Sequence, residues 1–290
     1  MWAVVVLNWN GREDTLRCLA SIPRDVLTVV PDNGSTDGSV EAIRERFPHV
    51  RVVENGANLG YSGGNNAGIR AALGAGTEWV VLLNNDATLE PGALDSLRDA
   101  AARHPRAGVL AGKLLFEDGR VQWAGQRVAL LTGYSGRPRG YGRPDGPRYR
   151  EEREVDRAVG ALMAVSRTAI DRAGLLDEDL FAYVEDVDWS LRIRAAGFAC
   201  VFVPGARAIH AVSASTGGQA STTPLYYGAR NTIVVCERHR PLGRAGTALR
   251  QASIAATFAA RAALGLRSRD ALRAVHDGVA HGAARRLGER

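Results

Sequence analysis

The chain has little sulfur, few aromatics, almost no lysine and no long apolar run. Cys18, Cys200 and Cys236 are isolated, with none of the paired spacings of zinc sites or redox motifs. An odd number of scattered thiols suits a reducing cytoplasm, where they serve as small hydrophobes. A membrane-crossing helix needs roughly 18 predominantly apolar residues. Residues 251–260 come nearest and are closed off by Arg250 and Arg261. Residues 208–229 hold no Asp, Glu, Lys or Arg, yet are too rich in Ser, Thr and Gly to span a bilayer. The opening run, Met1-Trp2-Ala3-Val4-Val5-Val6-Leu7, has no basic flank and no cleavage site. It leads into polar Asn8 and so reads as a strand, not a targeting peptide. These absences predict a cytoplasmic protein.

The 290 residues suffice for one large α/β domain or two small ones. Their 46% hydrophobic and 23% charged content is that of an ordinary globular chain. The 33 glycines cluster at loops without a fixed period, which excludes collagen-like and low-complexity structure. Lys113 is the only lysine, so the positive charge is carried by Arg. The formal net charge of +6 is local: residues 241–290 hold nine Arg against Asp270, Asp277 and Glu289, which leaves 1–240 neutral. A basic tail on a neutral body is either a solvated helical face or a docking surface for anionic lipid or an acidic partner.

Short β-branched runs at 3–7, 27–30, 50–53 and 79–83 predict strands buried on both faces. Helical patterns at 15–22, 39–47, 64–73 and 93–103 lie between and after them. Such alternation implies right-handed crossovers and a mainly parallel sheet, with ligands beyond the carboxyl ends of the strands. Further on, 109–116, 159–165 and 200–203 read as strands, 168–173 and 186–196 as helices, and 133–150 as a long loop. Beyond Pro241 the chain reads as helical. Ile254, Phe258, Ala262 and Leu266 form one apolar stripe there, which suits a face packed on the parent domain better than a membrane anchor.

Four polar segments stand out. Asp32-Asn33-Gly34-Ser35-Thr36-Asp37-Gly38-Ser39 follows the second strand. An acidic residue there can accept hydrogen bonds from a ribose or a base edge, although a plain turn with helix caps explains it equally. Asn58-Leu59-Gly60-Tyr61-Ser62-Gly63-Gly64-Asn65-Asn66-Ala67-Gly68 leads into a helix. Its glycines either admit an anionic ligand to the backbone or serve the loop's own turns. Its spacing, and the Asn8-Trp9-Asn10-Gly11 that follows the first strand, are not a dinucleotide fingerprint, which demotes an oxidoreductase. Leu82-Leu83-Asn84-Asn85-Asp86 ends a buried strand in a carboxylate that suits Mg²⁺ or Mn²⁺, or a simple turn. Glu185-Asp186-Val187-Asp188-Trp189 starts a helix with three carboxylates, so close that a cation, a proton or a role as general base is implied. His210 is either structural or a further metal ligand.

In this order and at these strand ends, the segments resemble glycosyltransferase family 2 of the inverting GT-A-type enzymes, particularly its rhamnosyltransferase-like branch. The resemblance runs from Val4 to about Val235 and rests on Val5-Val6-Leu7-Asn8-Trp9-Asn10-Gly11 and the four segments above. It implies a GT-A-type, Rossmann-like sheet over 1–240, with 1–110 as nucleotide-binding half and 111–240 as acceptor-binding half. The remaining 241–290 would be a basic helical extension. Asp32 would contact the base, with Asn33 and Asp37 supporting the ribose pocket. Asn8, Asn10, Asn58, Gly60, Gly63, Asn66, Asn84, Asn85 and Asp86 would complete the nucleotide-sugar site. Asp86 and His210 would hold Mn²⁺ or Mg²⁺. Asp186 would be the catalytic base, with Glu185, Asp188 and Trp189 shaping the acceptor site. Tyr227 and Arg230-Asn231 resemble a diphosphate-proximal segment. Two departures stand out: Pro31 replaces a usual β-branched residue, and the segment after His210 lacks the usual glycine.

The implied reaction is inverting transfer of a sugar from a dTDP- or UDP-linked donor, dTDP-L-rhamnose first, to a glycan or lipid-linked acceptor. No nucleic-acid partner is implied, and the basic tail would allow peripheral contact at the inner face of the membrane. A sugar-nucleotide nucleotidyltransferase, or a methyltransferase, would need a glycine-rich loop after the first strand, which Asn8-Trp9-Asn10-Gly11 is not. A catalytically inactive nucleotide-sugar-binding scaffold is the other alternative, and the intact Asp86 and Asp186 speak against it.

Overall fold

The structure is a computed structural model and describes residues 1–133, 138–211, 221–266 and 268–290. Valine-rich β1 (Trp2–Val5) pairs in parallel with β2 (Leu27–Asp32) on one side and β4 (Trp79–Leu83) on the other. Beyond β2 lies β3 (Arg51–Glu54), also parallel. Helices α1 (Arg12–Ala20), α2 (Ser39–Arg46) and α3 (Gly60–Gly74) make the crossovers. The sequence suggests that all four strands are buried on both faces, but β3 is not. It closes the sheet, and Arg51 and Glu54 are exposed, as an edge strand requires.

The parallel half meets a mixed half through β10 (Leu162–Ser166), which runs antiparallel to both β4 and β6 (Ala107–Leu115). Next come β11 (Ala199–His210), parallel to β6, and the short β5 (Ala87–Leu89), antiparallel to β11. Strands β7 (Arg120–Trp123), β8 (Arg143–Pro144) and β9 (Arg153–Glu154) extend the margin, so part of the expected long loop at 133–150 is ordered pairing. Helices α4 (Ala93–Arg103), α5 (Arg167–Ala173) and α6 (Glu185–Ala195) complete the α/β body, whose core is continuous from Ala3 to Ala208.

The glycine-rich segment is helix, not loop, from Gly60 onward. A Cβ at Gly64 would lie 2.5 Å from Leu7 Cδ1, and one at Gly68 would lie 2.4 Å from Val5 Cγ1. These glycines let α3 sit close against β1 and the residues after it.

Helix α7 (Thr223–His239) was not legible as a helix, because its buried face mixes Tyr226, Tyr227, Arg230 and Asn231 with apolar residues and shows no clean stripe. Its Pro224 stands in the first turn, where the missing N–H costs nothing. Against α7 pack α8 (Arg244–Gly265) and α9 (Arg269–Ala283). The stripe residues Ile254, Phe258 and Ala262 are buried there with Ala229 and Ile233, and Leu266 packs at the margin. No helix among the described residues is long and apolar enough to cross a membrane.

Candidate functional site

The carboxyl ends of β1, β2 and β4 are joined by a buried polar chain. Asn8 donates to Asp32 Oδ1 at 2.6 Å and to the hydroxyls of Ser35 and Ser39 at 3.0 and 2.8 Å. Its carbonyl oxygen accepts from Thr15 Oγ1 at 2.7 Å, and Thr15 accepts from Asn85 Nδ2 at 3.1 Å. Asp32 Oδ2 accepts the Ser35 N–H at 2.9 Å. Asn10, at φ 49°, accepts the Thr36 N–H at 2.8 Å and is exposed. Asp37 accepts N–H bonds from Arg12 and Ser39. Burial alone would raise its carboxyl, but the hydrogen bonds from Ser39 and Arg12 outweigh it and hold it low. Asn8, Asn10, Asp32 and Asp37 therefore gather around one turn.

Other expected nucleotide contacts tie the protein to itself. Asn33 Nδ2 donates to Asn58 Oδ1 and to the Gly60 carbonyl, at 3.1 and 3.0 Å. Asn66 exchanges bonds with the Leu176 backbone and donates to Glu178 at 2.9 Å. Gly60, at φ +69°, lies against the Phe181 carbonyl, where a Cβ would come within 2.5 Å, and Gly63 lies against Leu59. Asn85 is buried with its amide on Thr15. In this structure these residues tie neighbouring elements together.

Asp86 and His210 meet because β5 pairs with the end of β11, with Ala87 opposite His210. His210 Nε2 lies 3.0 Å from Asp86 Oδ1, and Asn84 Nδ2 lies 3.5 Å from the same ring nitrogen. Gln122, on β7, fixes the ring. Its Nε2 donates to the His210 carbonyl at 3.2 Å, which leaves Oε1 to accept from Nδ1–H at 2.6 Å. Nε2 thus faces the carboxylate with a proton or a cation between them. An imidazole beside a hard carboxylate suits Mn²⁺ better than Mg²⁺. No group of three His, Cys, Asp or Glu side chains suited to a metal occurs among the described residues, so the chain itself offers two such ligands.

Asp186 is held close to this pair by the start of β10. Gly160 N–H donates to Asp186 Oδ2 at 3.2 Å, while the next residue, Ala161, accepts the Asn84 N–H at 3.3 Å. Arg157 Nη1 lies 3.3 Å from Asp186 Oδ1. Tyr61 stands against Gly160, within electrostatic reach of Glu185, Asp186 and Asp86. Its hydroxyl has no hydrogen-bond partner among the described residues, nor has Glu185 Oε2. Burial, and then the neighbouring Asp186 charge, push the Glu185 carboxyl well up. Gln122, Arg157 and Tyr61 were not anticipated as site residues. Only Tyr61 carried a signal, as the one aromatic side chain in the glycine-rich segment.

Asp188 and Trp189 face away from the acceptor side. Asp188, fully buried, accepts from Arg192, Arg238 and His239 at 2.7, 2.9 and 2.8 Å. Burial would raise its carboxyl, but His239, Arg192 and Arg238 outweigh this and bring it to about 2. Trp189 is buried and donates Nε1–H to the Gly174 carbonyl at 2.8 Å. In this structure both side chains are engaged with the protein's own groups. A helix repeats every 3.6 residues, so a carboxylate two positions after Asp186 points elsewhere.

The loop before Glu185 is strained. Phe181, Tyr183 and Val184 have φ of 61°, 66° and 72°, a region that disfavours a β-branched residue most of all. Helix α7 holds it there. Asn231 Nδ2 donates to the carbonyls of Leu180, Ala182 and Tyr183 at 2.8, 2.9 and 2.7 Å. Arg230, fully buried, donates to the carbonyls of Leu180 and Asp179 at 2.9 and 3.2 Å, and to that of Gly288 at 2.6 Å. Its guanidinium lies 4.8 Å from the Tyr227 ring centre, and Phe181 stacks on the other contact of that ring at 5.3 Å. With these donors engaged, Arg230 and Asn231 clamp the loop.

The sequence pattern of glycosyl transferase family 2 matches residues 3–172. The chain belongs to glycosyltransferase family 2. A relative from Mycobacterium tuberculosis, an N-acetylglucosaminyl-diphospho-decaprenol L-rhamnosyltransferase, is 36% identical over 265 residues, covering 83% of this chain and 86% of that one. The low-salt glycan biosynthesis hexosyltransferase Agl10 of Haloferax volcanii is 24% identical over 66% of this chain and 61% of its own length. Among solved structures, the Pyrobaculum calidifontis mannosyltransferase PcManGT, in complex with GDP-Man and Mn²⁺, superposes with a TM-score of 0.56 at 18% identity, over 98% of this chain and 86% of that one. GalNAc-T7 with UDP, GalNAc and Mn²⁺ superposes with a TM-score of 0.61 at 19% identity, over 82% and 47%. The glycosyltransferase thus has a GT-A-type fold.

Proposed function

We propose that this glycosyltransferase transfers L-rhamnose, with inversion, from dTDP-L-rhamnose to a hydroxyl of a lipid-linked glycan. The observation that supports it most is that adjoining residues hold both segments: the Gly160 N–H binds Asp186, and the Ala161 carbonyl accepts the N–H of Asn84, two residues before Asp86. The rhamnosyltransferase relative supports the choice of donor and of a lipid-linked acceptor.

Asp32, with Asn8 and Ser35 fixing its oxygens, receives the nucleoside. Asp86 and His210 would hold a divalent cation, Mn²⁺ by preference, which when bound would neutralise charge on the departing diphosphate. Asp186 accepts the proton of the acceptor hydroxyl as that oxygen bonds to the anomeric carbon. The bond from that carbon to the phosphate oxygen breaks on the opposite face. The Gly160 N–H and the Arg157 guanidinium aim the Asp186 carboxylate through this step. The exposed arginines of α8 and α9, such as Arg261 and Arg273, face an anionic membrane. Arg261→Glu with Arg273→Glu therefore reduces co-sedimentation with phosphatidylglycerol vesicles.

The test is Asp186→Asn. It retains the melting shift given by dTDP-rhamnose with Mn²⁺ and loses turnover by two orders of magnitude or more, a size of about 10²-fold or above being usual for a general base. Near-wild-type turnover would remove Asp186 from the role.

A further inference from the structure

Helix α8 is apolar on both sides. Its inward stripe of Ile254, Phe258 and Ala262 is buried against α7 and α9. On the opposite side Leu249, Ala252, Ala256, Ala260, Ala263 and Leu264 follow the helical period and are exposed. Ser253 and Thr257 are the polar side chains along this outer face, and the Thr257 hydroxyl is already bonded to the Ser253 carbonyl at 2.9 Å. The charged residues of α8, Arg244, Arg250 and Arg261, all stand outside it. A helix apolar all round belongs in an interior or against another apolar medium. Here 22 residues, about 33 Å of helix, leave one side in solvent.

The leucines make this more than a run of small residues. Leu249 and Leu264 are 74% and 78% exposed, the two most exposed large apolar side chains among the described residues. Leu272, 50% exposed, stands in the first turn of α9, just past the turn from α8. Exposed leucines scattered singly need no explanation, but three on one pair of adjoining helices form a patch.

Charge selects what covers it. Arg244 and Arg261 flank the outer face on α8, and Arg269 and Arg273 follow on α9, all of them exposed. Helix α8 carries no acidic residue, and α9 carries Asp270 and Asp277, the latter ion-paired with Arg290 at 3.3 Å. A second copy docked on this face would bring two sets of arginines together, which like-charge repulsion opposes. An anionic bilayer offers headgroup phosphates to the arginines and hydrocarbon to the leucines along one plane. Arginine suits that boundary, because its stem lies on apolar surface while its charged end reaches the headgroups.

We propose that α8 lies in the plane of an anionic bilayer, with Leu249 and Leu264 inserted among the acyl chains and the flanking arginines at the level of the phosphates. This rests on the membrane-facing reading given above and adds the apolar contact that arginines alone do not make. Helix α7, on which α8 packs, clamps the loop before Glu185, so the bilayer lies one helix layer from that loop.

The test uses the full chain and vesicles of phosphatidylglycerol with phosphatidylcholine. Leu249→Gln with Leu264→Gln, both at exposed positions, keeps the wild-type melting temperature and its shift with dTDP-rhamnose. Its vesicle affinity falls about tenfold or more, the weight of two leucines returned to water. Cys18, Cys200 and Cys236 are buried, so a thiol placed at Ala256→Cys takes a fluorophore selectively. On vesicles that label shifts to the blue and is quenched by nitroxides on the acyl chains. A label at Ala75→Cys, exposed at the end of α3, does neither. Unchanged binding of the leucine variant, or a vesicle-bound chain whose label at position 256 is not quenched, overturns the proposal and leaves contact through the arginines standing. A dimer in solution that the leucine variant dissociates overturns it in favour of a second copy. A wild type that binds no vesicles overturns it together with the membrane-facing reading. Glycosyl transfer is judged separately by the dTDP-rhamnose shift, since the vesicles contain no sugar.

Discussion

Asn231 donates its side-chain amide to the carbonyl of Tyr183 at 2.7 Å, two residues before Glu185. A helix otherwise remote from the sheet thereby sets the backbone that presents Glu185 and Asp186. Asn231→Ala removes the donor shared by three carbonyls, one buried and two partly buried, at a stability cost of about 2 kcal/mol. The loop then relaxes from its positive φ values. The expected outcome is a kcat at least tenfold lower with an unchanged Kd for dTDP-rhamnose, read by steady-state kinetics and donor titration. A variant that loses stability but keeps kcat would assign Asn231 to folding alone.

Gln122 fixes the His210 ring, and under the proposed reading it would act through that ring on a cation held with Asp86. Gln122→Leu frees the imidazole to rotate and to change tautomer without altering either ligand. Loss of such an outer partner typically costs about 10–100-fold in metal affinity. The Mn²⁺ concentration for half-maximal activity should rise by that factor, while activity at saturating Mn²⁺ falls little.

Tyr61 offers a clean probe of the substrate space, because its hydroxyl has no protein partner among the described residues to lose. Tyr61→Phe should leave the melting temperature unchanged or slightly raised. Its kcat/KM should fall about tenfold, the weight of one hydrogen bond to bound sugar. Unaltered kinetics would mean that the hydroxyl touches neither substrate.

The carboxyl of Asp188 lies at about 2 in the folded protein against 3.8 as its ordinary value. A depressed value stabilises the fold above the unfolded pKa and ceases to do so as pH falls through the folded one. The wild type should therefore lose about 2 kcal/mol of stability between pH 4 and pH 2 on this account. Asp188→Asn, already destabilised at neutral pH, should lack that step in urea unfolding. Glu185 behaves oppositely: its carboxyl is pushed up, so its ionisation weakens the fold as pH rises above the ordinary carboxylate range. Glu185→Gln should gain stability relative to wild type in alkaline buffer and match it in acid.

The parallel half of the sheet was legible because each of its strands is short, β-branched and ended by polar residues. Strand β4 and helix α4 occupy the spans that periodicity indicates. The order of motifs was enough to show the resemblance to glycosyltransferase family 2, whose pattern matches residues 3–172. Less was legible where one residue type serves two ends. Glycines that read as an anion cradle are close-packing contacts for α3, and asparagines that read as ligand contacts bind neighbouring backbone. Periodicity reports which face is apolar and does not say whether a buried polar group faces a ligand or a carbonyl. That is why α7, whose buried face includes Arg230 and Asn231, escaped notice. Pairings across the fold, such as Gln122 with His210 at 88 residues' separation, leave no local pattern at all.

The bond from Arg230 to the Gly288 carbonyl, joined by that from Gly288 N–H to the Asp179 carbonyl, imposes an order in time. Chains are made from the N-terminus, so the nucleotide half with Asp32 and Asp86 is present well before residue 288. Asn231 can hold the loop before Glu185 as soon as α7 has formed, and the bonds of Gly288 to Arg230 and Asp179 are the last ties added to that corner.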